Sequence, residues 1–330
     1  MTTQLRPLSL GEVLDRTAEL YRTNFLLFAG IAAIFSGAML FTGMLHLGVE
    51  ELLGYPHIDP KLQWAVAAAA VAGTLVVLLV AGLAIAANTR AVAWIYLGEP
   101  ATIRAATVSV VPRIRRYLWV MTITGFRAWA PLAVIYVIFF VVLFAYFPKG
   151  FLTNPAVMQG APASNPAEMI TAGLMFLVLG PFFLLTLAYG IVMSLRYSLA
   201  VPACVVEELP AGQAIKRSIH LSKDSRGRIF VLGLLVYAVR LVLGVLLSLP
   251  FIFFAFKHRG HAIPIALLAA QQIASFVVNT LIGPIYSTGL TLFYYDQRVR
   301  KEGFDIEWMM RAAGLEHFRN TGTLFESSER

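Results

Sequence analysis

Residues 229–256 read IFVLGLLVYAVRLVLGVLLSLPFIFFAF, from Ile229 to Phe256. Twenty of these residues are Leu, Ile, Val or Phe, and the one charge among them is Arg240. The run exceeds the ~20 residues a helix needs to cross a bilayer. An arginine at a helix centre costs about 2.5–3.5 kcal/mol, while each large apolar residue contributes about −0.3 to −0.6, so insertion stays favourable. Similar runs cover Phe25–Leu45, Trp64–Ala87, Ala128–Phe147, Ile170–Met193 and Ile263–Tyr295. Lipid offers a backbone amide no partner, so such runs form helices or closed barrels. Barrel strands alternate in polarity, and Val137–Leu143 does not.

Composition agrees with that reading. The 330 residues are 58% hydrophobic and only 13% charged, with mean hydropathy +0.74. Soluble domains carry about 25% charged residues, so this chain cannot clothe a water-soluble globule. Its hydrophobicity equally excludes disorder. The expected fold is all-α: a polytopic membrane helix bundle of six transmembrane helices, arranged as three hairpins with short cytoplasmic amphipathic helices. Residues 1–24 form an amphipathic lead-in, 25–300 the membrane domain, and 301–330 a tail with a short helix.

Basic residues set the expected orientation. With the N-terminus inside, the inner segments hold 20 of the 26 Lys and Arg, and the outer loops hold Lys61, Lys149, Lys257 and Arg259. Such a bias is the positive-inside signal. It predicts a multi-pass protein of the inner (plasma) membrane with both termini cytoplasmic. The net charge of +8 then reflects loops facing an anionic leaflet, not nucleic-acid binding. Membrane lipids, anionic phospholipid among them, are the expected partners.

Before Phe25 there is no apolar core of a signal peptide. Ser9 and Glu12 instead have capping-box spacing, and Leu10, Val13, Leu14, Thr17, Leu20 and Tyr21 follow at helical spacing. This predicts a helix lying on the inner membrane surface.

The chain also matches itself. Shifted by 113, Arg104 falls on Arg217, Arg113 on Arg226, Arg115 on Arg228 and Arg127 on Arg240. Shifted by 201, Gly11 falls on Gly212, Arg16 on Arg217 and Leu20 on Leu221. Three units of amphipathic helix plus membrane hairpin are expected. Gly180-Pro181 and Gly283-Pro284 both sit mid-span and mark kinks.

Arg127 and Arg240 are the candidate ligand-binding residues, since a cation at membrane depth needs a partner. No Asp or Glu lies in the apolar runs. The candidate partners are Gln271, Gln272 and Asn279, carbonyls freed at the kink prolines Pro131, Pro181 and Pro284, or an anionic ligand such as a lipid phosphate. Snorkelling to the inner boundary is the bland alternative.

Other signals point away from chemistry. His258-Arg259-Gly260-His261 has no nearby carboxylate, as metal-assisted hydrolysis needs. His46 and His57 flank an outer loop with Glu50, Glu51 and Asp59, which reads as a solvated loop. Glu207-Glu208 reads as a solvated pair without partners. Cys204 lacks a neighbouring His and reads as inert packing. The Pro- and Gly-rich Pro148–Ala167 reads as loop. Tyr294 and Tyr295 are expected at the interface, and Asp305 as the cap of a short helix. No metal, cofactor or catalytic group is expected.

The opening Arg6-Pro7-Leu8-Ser9-Leu10-Gly11-Glu12-Val13-Leu14-Asp15-Arg16, with Tyr21-Arg22, resembles the start of the bacterial glycerophosphoryl diester phosphodiesterase membrane-domain family. The closing Tyr294-Tyr295-Asp296-Gln297-Arg298-Val299-Arg300-Lys301-Glu302-Gly303-Phe304-Asp305 is similar to its end. The family's catalytic barrel is absent, so the resemblance implies a prokaryotic inner-membrane protein and no phosphodiesterase activity. Two functions remain in view: a non-enzymatic, lipid- or envelope-associated protein, or a small transporter or channel for an anionic solute.

Overall fold

Helices longer than the apolar runs organise the chain. The structure, a computed structural model, describes residues 6–53, 60–146, 166–257 and 264–312. Its helices are α1 (Leu10–Thr23), α2 (Phe25–Leu52), α3 (Pro60–Tyr96), α4 (Ile103–Val110), α5 (Ile114–Tyr146), α6 (Pro166–Tyr197), α7 (Ala200–Val206), α8 (Ala211–Ser222), α9 (Arg226–Lys257), α10 (Ile265–Glu302) and α11 (Phe304–Ala312). Among the described residues there is no strand. Six helices are long and apolar enough to cross a membrane. The protein is an all-α, multi-pass membrane helix bundle. His57, Asp59, His258–His261 and most of the expected loop Pro148–Ala167 lie outside the described residues. The end of that loop is helix, because α6 starts at Pro166, whose missing N–H costs a first turn nothing.

The chain divides into two units, one of residues 1–120 with 198–330 and one of residues 121–197. In the first, α10 is the central element and packs against α2, α3, α9 and α1. Its 38 residues span about 57 Å at 1.5 Å each, well beyond the ~30 Å of bilayer hydrocarbon. Burial shows which part projects: from Thr288 to Gln297 every residue of α10 is buried. The end of α3 is likewise buried at Ala86, Ala91 and Val92. With α4, α7 and α8 these ends build a protein core that takes in the last residues of the expected apolar runs and continues beyond them.

That core is aromatic. Tyr294 and Tyr295 are fully buried, as is Tyr117. The Tyr295 ring lies 5.1 Å from Tyr96 and 5.8 Å from Phe304. The tyrosines expected at the interface therefore serve packing, since amphipathic rings fill protein cores as readily as interfaces. Gly303 ends α10 in the left-handed conformation (φ 65°), a cost only glycine avoids. The Gly303 carbonyl then accepts from Ile306 and Glu307, so Gly303, not Asp305, caps α11.

The N-terminal helix forms with the expected capping box. Ser9 Oγ accepts from the Glu12 amide at 3.3 Å, and the Ser9 amide donates to Glu12 at 2.7 Å. Its apolar face is used differently from expectation. Val13 and Thr17 are buried, and α1 packs on α10. Leu8 is held at Asp296, and Tyr21 donates to the Leu281 carbonyl at 2.5 Å, so α1 runs back along α10. Protein covers Val13 and Thr17, while Leu10, Leu14, Leu20 and Tyr21 of the same face stay half-exposed.

In the second unit, α5 and α6 approach closely at Gly190. A Cβ there would meet the Trp129 ring at 3.0 Å and the Ala128 carbonyl at 3.2 Å. Tyr136 and Phe183 add an edge-to-face contact at 5.8 Å.

Candidate functional site

Two helix faces meet in a polar seam between α9 and α10. Arg240, Gly244 and Ser248 recur every fourth residue on α9, and Gln271, Ser275 and Asn279 do so on α10. That spacing puts each set on one helix face. The helices run antiparallel, so Arg240 meets Asn279 and Ser248 lies near Gln271; all six residues line one cavity of about 200 Å³. Arg240 Nη2 donates to Asn279 Oδ1 at 2.7 Å. Asn279 is aimed by its own amide, which donates to the Ser275 carbonyl at 2.9 Å.

The electrostatics of the seam are unbalanced. No carboxylate lies within ion-pair distance of Arg240 among the described residues. Arg240 is 14 residues from the start of α9 and 17 from its end, about 21 and 26 Å along the axis. The seam therefore presents a cation, two amides and two hydroxyls in the middle of an apolar helix pair, with neutral partners only.

The other candidate residues separate. Gln272 turns away from the seam and lines a different cavity, with Thr42, Gly43 and His46 of α2. Consecutive helix residues diverge by about 100°, so Gln271 and Gln272 cannot share a face. Arg127 lies in the other unit, exposed on α5. Its backbone carbonyl is the one Pro131 frees, four residues on, and Tyr189 donates to it at 3.5 Å. Beside Pro284, the Leu281 carbonyl accepts from Tyr21. At Pro131 a tyrosine hydroxyl, not an arginine, thus serves the freed carbonyl, whereas the carbonyl bonded by Tyr21 lies three residues before Pro284. Pro181 lies within α6, and Pro250 within α9 is a further helix proline. The Pro284 carbonyl also faces Asn88, whose amide donates to Ser287 at 2.7 Å.

A second set of polar residues knits the projecting ends together, and sequence reasoning missed it. Glu207 accepts from Arg217 Nε at 3.0 Å and from the Tyr294 hydroxyl. Arg217 also pairs with Glu302, which lies 3.4 Å from Arg298. Glu208 pairs with Arg90 at 3.3 Å and with Arg113, and its carbonyl accepts from Arg116 at 2.5 Å. The Arg113 hydrogen bond holds the Glu208 carboxyl below its ordinary range. Burial alone would lower the Arg217 pKa, but the bonds to Glu302 and Glu207 more than offset it, so Arg217 stays charged. The expectation of a Glu207-Glu208 pair without partners is overturned, because helices distant in sequence bring Arg90, Arg113, Arg116, Arg217 and Arg298 to it, although Glu208 stays exposed. Spacing offered no signal for those partners; the excess of arginine in the inner segments did. Cys204 is buried, its thiol 3.3 Å from the Leu209 carbonyl. His46 lies 3.3 Å from Glu50. Among the described residues no cluster of His, Cys, Asp and Glu could hold a metal ion.

The fold and this seam define a class: a polytopic helical membrane protein carrying an arginine, bonded only to neutral groups, between two of its long helices. The chain belongs to a family described as a domain of unknown function, DUF7847, whose pattern matches residues 8–297. No curated protein and no solved structure matches it.

Proposed function

We propose that this is a non-enzymatic, lipid-associated protein of the inner (plasma) membrane that binds the phosphate of an anionic lipid at the α9–α10 seam. The observation behind this reading is Arg240, bonded to neutral Asn279 about 21 Å from the nearer end of its helix. A cation within a membrane helix needs a partner, and an anion would satisfy its charge where Asn279 does not. Phosphate suits it, because guanidinium donors bind phosphate oxygens bidentately. Gln271, Ser275 and Asn279 supply neutral donors beside it. The 20-to-4 distribution of basic residues supports cytoplasmic termini. The resemblance of the chain's ends to a phosphodiesterase membrane domain lends the reading no activity.

The three-unit repeat belongs to the same proposal. A shift of 201 carries Leu10, where α1 starts, onto Ala211, where α8 starts. It also carries Phe25, the start of α2, onto Arg226, the start of α9.

The seam's depth favours one alternative, a small transporter or channel for an anionic solute, since polar ridges within membrane helices line solute paths. One comparison separates the two. Phosphatidylglycerol added to the detergent-solubilised protein should raise its melting temperature above that in phosphatidylcholine, and Arg240→Leu should abolish the difference. Equal melting temperatures in both lipids, with Arg240-dependent anion flux in vesicles, would favour the transporter.

A further inference from the structure

The cavity that Gln272 enters is separate from the Arg240 seam and has a different chemistry. It measures about 490 Å³ and lies between α2, α3 and α10. Small residues make room for it: Gly43 on α2 and Ala70 and Gly73 on α3. A Cβ at Gly43 would sit 2.8–3.0 Å from the Gln272 carboxamide, so a larger residue there would push that flexible side chain aside. The two threonines of the cavity are satisfied by their own helices, Thr42 by the Ala38 carbonyl and Thr74 by the Ala70 carbonyl, both at 2.8 Å. The Gln272 carboxamide has no hydrogen-bond partner among the described residues. An amide facing hydrocarbon is costly to leave unbonded.

Length and charge narrow the occupant. Along α2 the cavity runs from Met39 to Val49, about 15 Å at 1.5 Å per residue. That is the depth of one hydrocarbon leaflet, half of ~30 Å. Its Val49 end adjoins Glu50 and Glu51, which belong at the level of the headgroups. Among the described residues no lysine or arginine lines it, and His46 faces Glu50.

We propose that this cavity is a lipid site distinct from the seam, holding one hydrocarbon chain of a neutral lipid. Gln272 donates to that lipid's hydroxyl or ester oxygen. Gly43, Ala70 and Gly73 let the chain lie between the helices, and the described lining offers a phosphate no cation. The site does not depend on Arg240.

The test uses the full-length protein in phosphatidylcholine vesicles containing a diacylglycerol with a photoactivatable diazirine in one chain. Cross-linked peptides are mapped by mass spectrometry. Labelling should concentrate between Met39 and Val49 and between Val66 and Val77, above that of the exposed α9 face at Leu241 and Val242. A Cβ at Gly73 meets only Thr42, at 3.7 Å, so Gly73→Leu should fold while filling the cavity. Ala70→Leu is the second filling variant. Either should remove the excess labelling, and Gln272→Leu should lower it about tenfold, near the worth of one hydrogen bond. Arg240→Leu should leave it unchanged. Labelling that is uniform over lipid-exposed helices, or unaltered by the filling variants and by Gln272→Leu, would overturn the proposal.

Discussion

The backbone N–H of Leu8 donates to Asp296 Oδ1 at 2.7 Å, across 288 residues of sequence. The Leu8 carbonyl accepts from Arg300 Nη2 at 2.5 Å and from Arg228 at 3.5 Å. Arg300 also bonds Asp296 at 3.0 Å. A carboxylate and two guanidiniums thus grip one residue of extended chain on both its polar groups. The Asp296 side chain is fully buried, so leaving its oxygens without these donors would be costly.

Removing that carboxylate should release the N-terminus. Asp296→Ala leaves two guanidiniums and the Leu8 amide without their acceptor, and breaking such a pair costs about 3 kcal/mol. The expected outcome is lower stability in detergent and faster tryptic cleavage at Arg16 and Arg22. Asp296→Asn keeps one acceptor and should fall between. Unchanged cleavage in Asp296→Ala would show that α1 is held by its apolar face alone.

The cap of α1 should be sensitive to acid. The Ser9 amide, then Arg6 and the Ser9 hydroxyl, lower the Glu12 pKa from 4.5 to about 2. A depressed folded-state pKa gives stability that is full above 4.5 and lost as pH falls through 2. Hydrogen-exchange protection of the first-turn amides should therefore decline across that window. Glu12→Gln keeps the capping box without the charge, and its protection should be flat with pH.

Arg217 joins Glu207, at the end of α7, to Glu302, at the end of α10. Glu207→Ala and Glu302→Ala share this partner, so their effects should not add. A double-mutant cycle should give a coupling of about 1 kcal/mol, within the range for residues of one network. Strict additivity would mean that the two carboxylates act independently.

What was legible in sequence was local. The Ser9–Glu12 capping box and the apolar runs are short-range or periodic signals, and each appears in the helices observed. The length of those helices was harder to read. Hydropathy ends α3 near Ala87, yet the helix continues to Tyr96, because there protein replaces lipid as its packing partner. Glu207 and Asp296 were opaque for another reason. Their partners, among them Arg217, Tyr294 and Leu8, come from distant segments, and nothing in local spacing pairs a glutamate with a tyrosine 87 residues on. Asn279 was visible as a partner for Arg240, because few polar residues in the last span could serve. Gln272 looked equivalent, and only the helical turn sends it elsewhere.

Packing of the second unit should fail at one glycine. Gly190→Ala puts a methyl 3.0 Å from the Trp129 ring and 3.2 Å from a backbone carbonyl that cannot rotate away. Such overpacking costs about 1–3 kcal/mol. A lower melting temperature is expected for Gly190→Ala, and little change for Gly180→Ala, where a Cβ meets nothing within 4 Å. Equal effects at both sites would point to helix propensity instead of packing.

The seam itself is tested most directly by native mass spectrometry of the protein released from mixed phosphatidylglycerol and phosphatidylcholine micelles. The wild-type protein should retain phosphatidylglycerol selectively. Arg240→Gln should lose that adduct while keeping the wild-type melting temperature in phosphatidylcholine alone, and Asn279→Leu should weaken it. Retention of the same anionic lipid by a folded Arg240→Gln protein would contradict a phosphate site at Arg240.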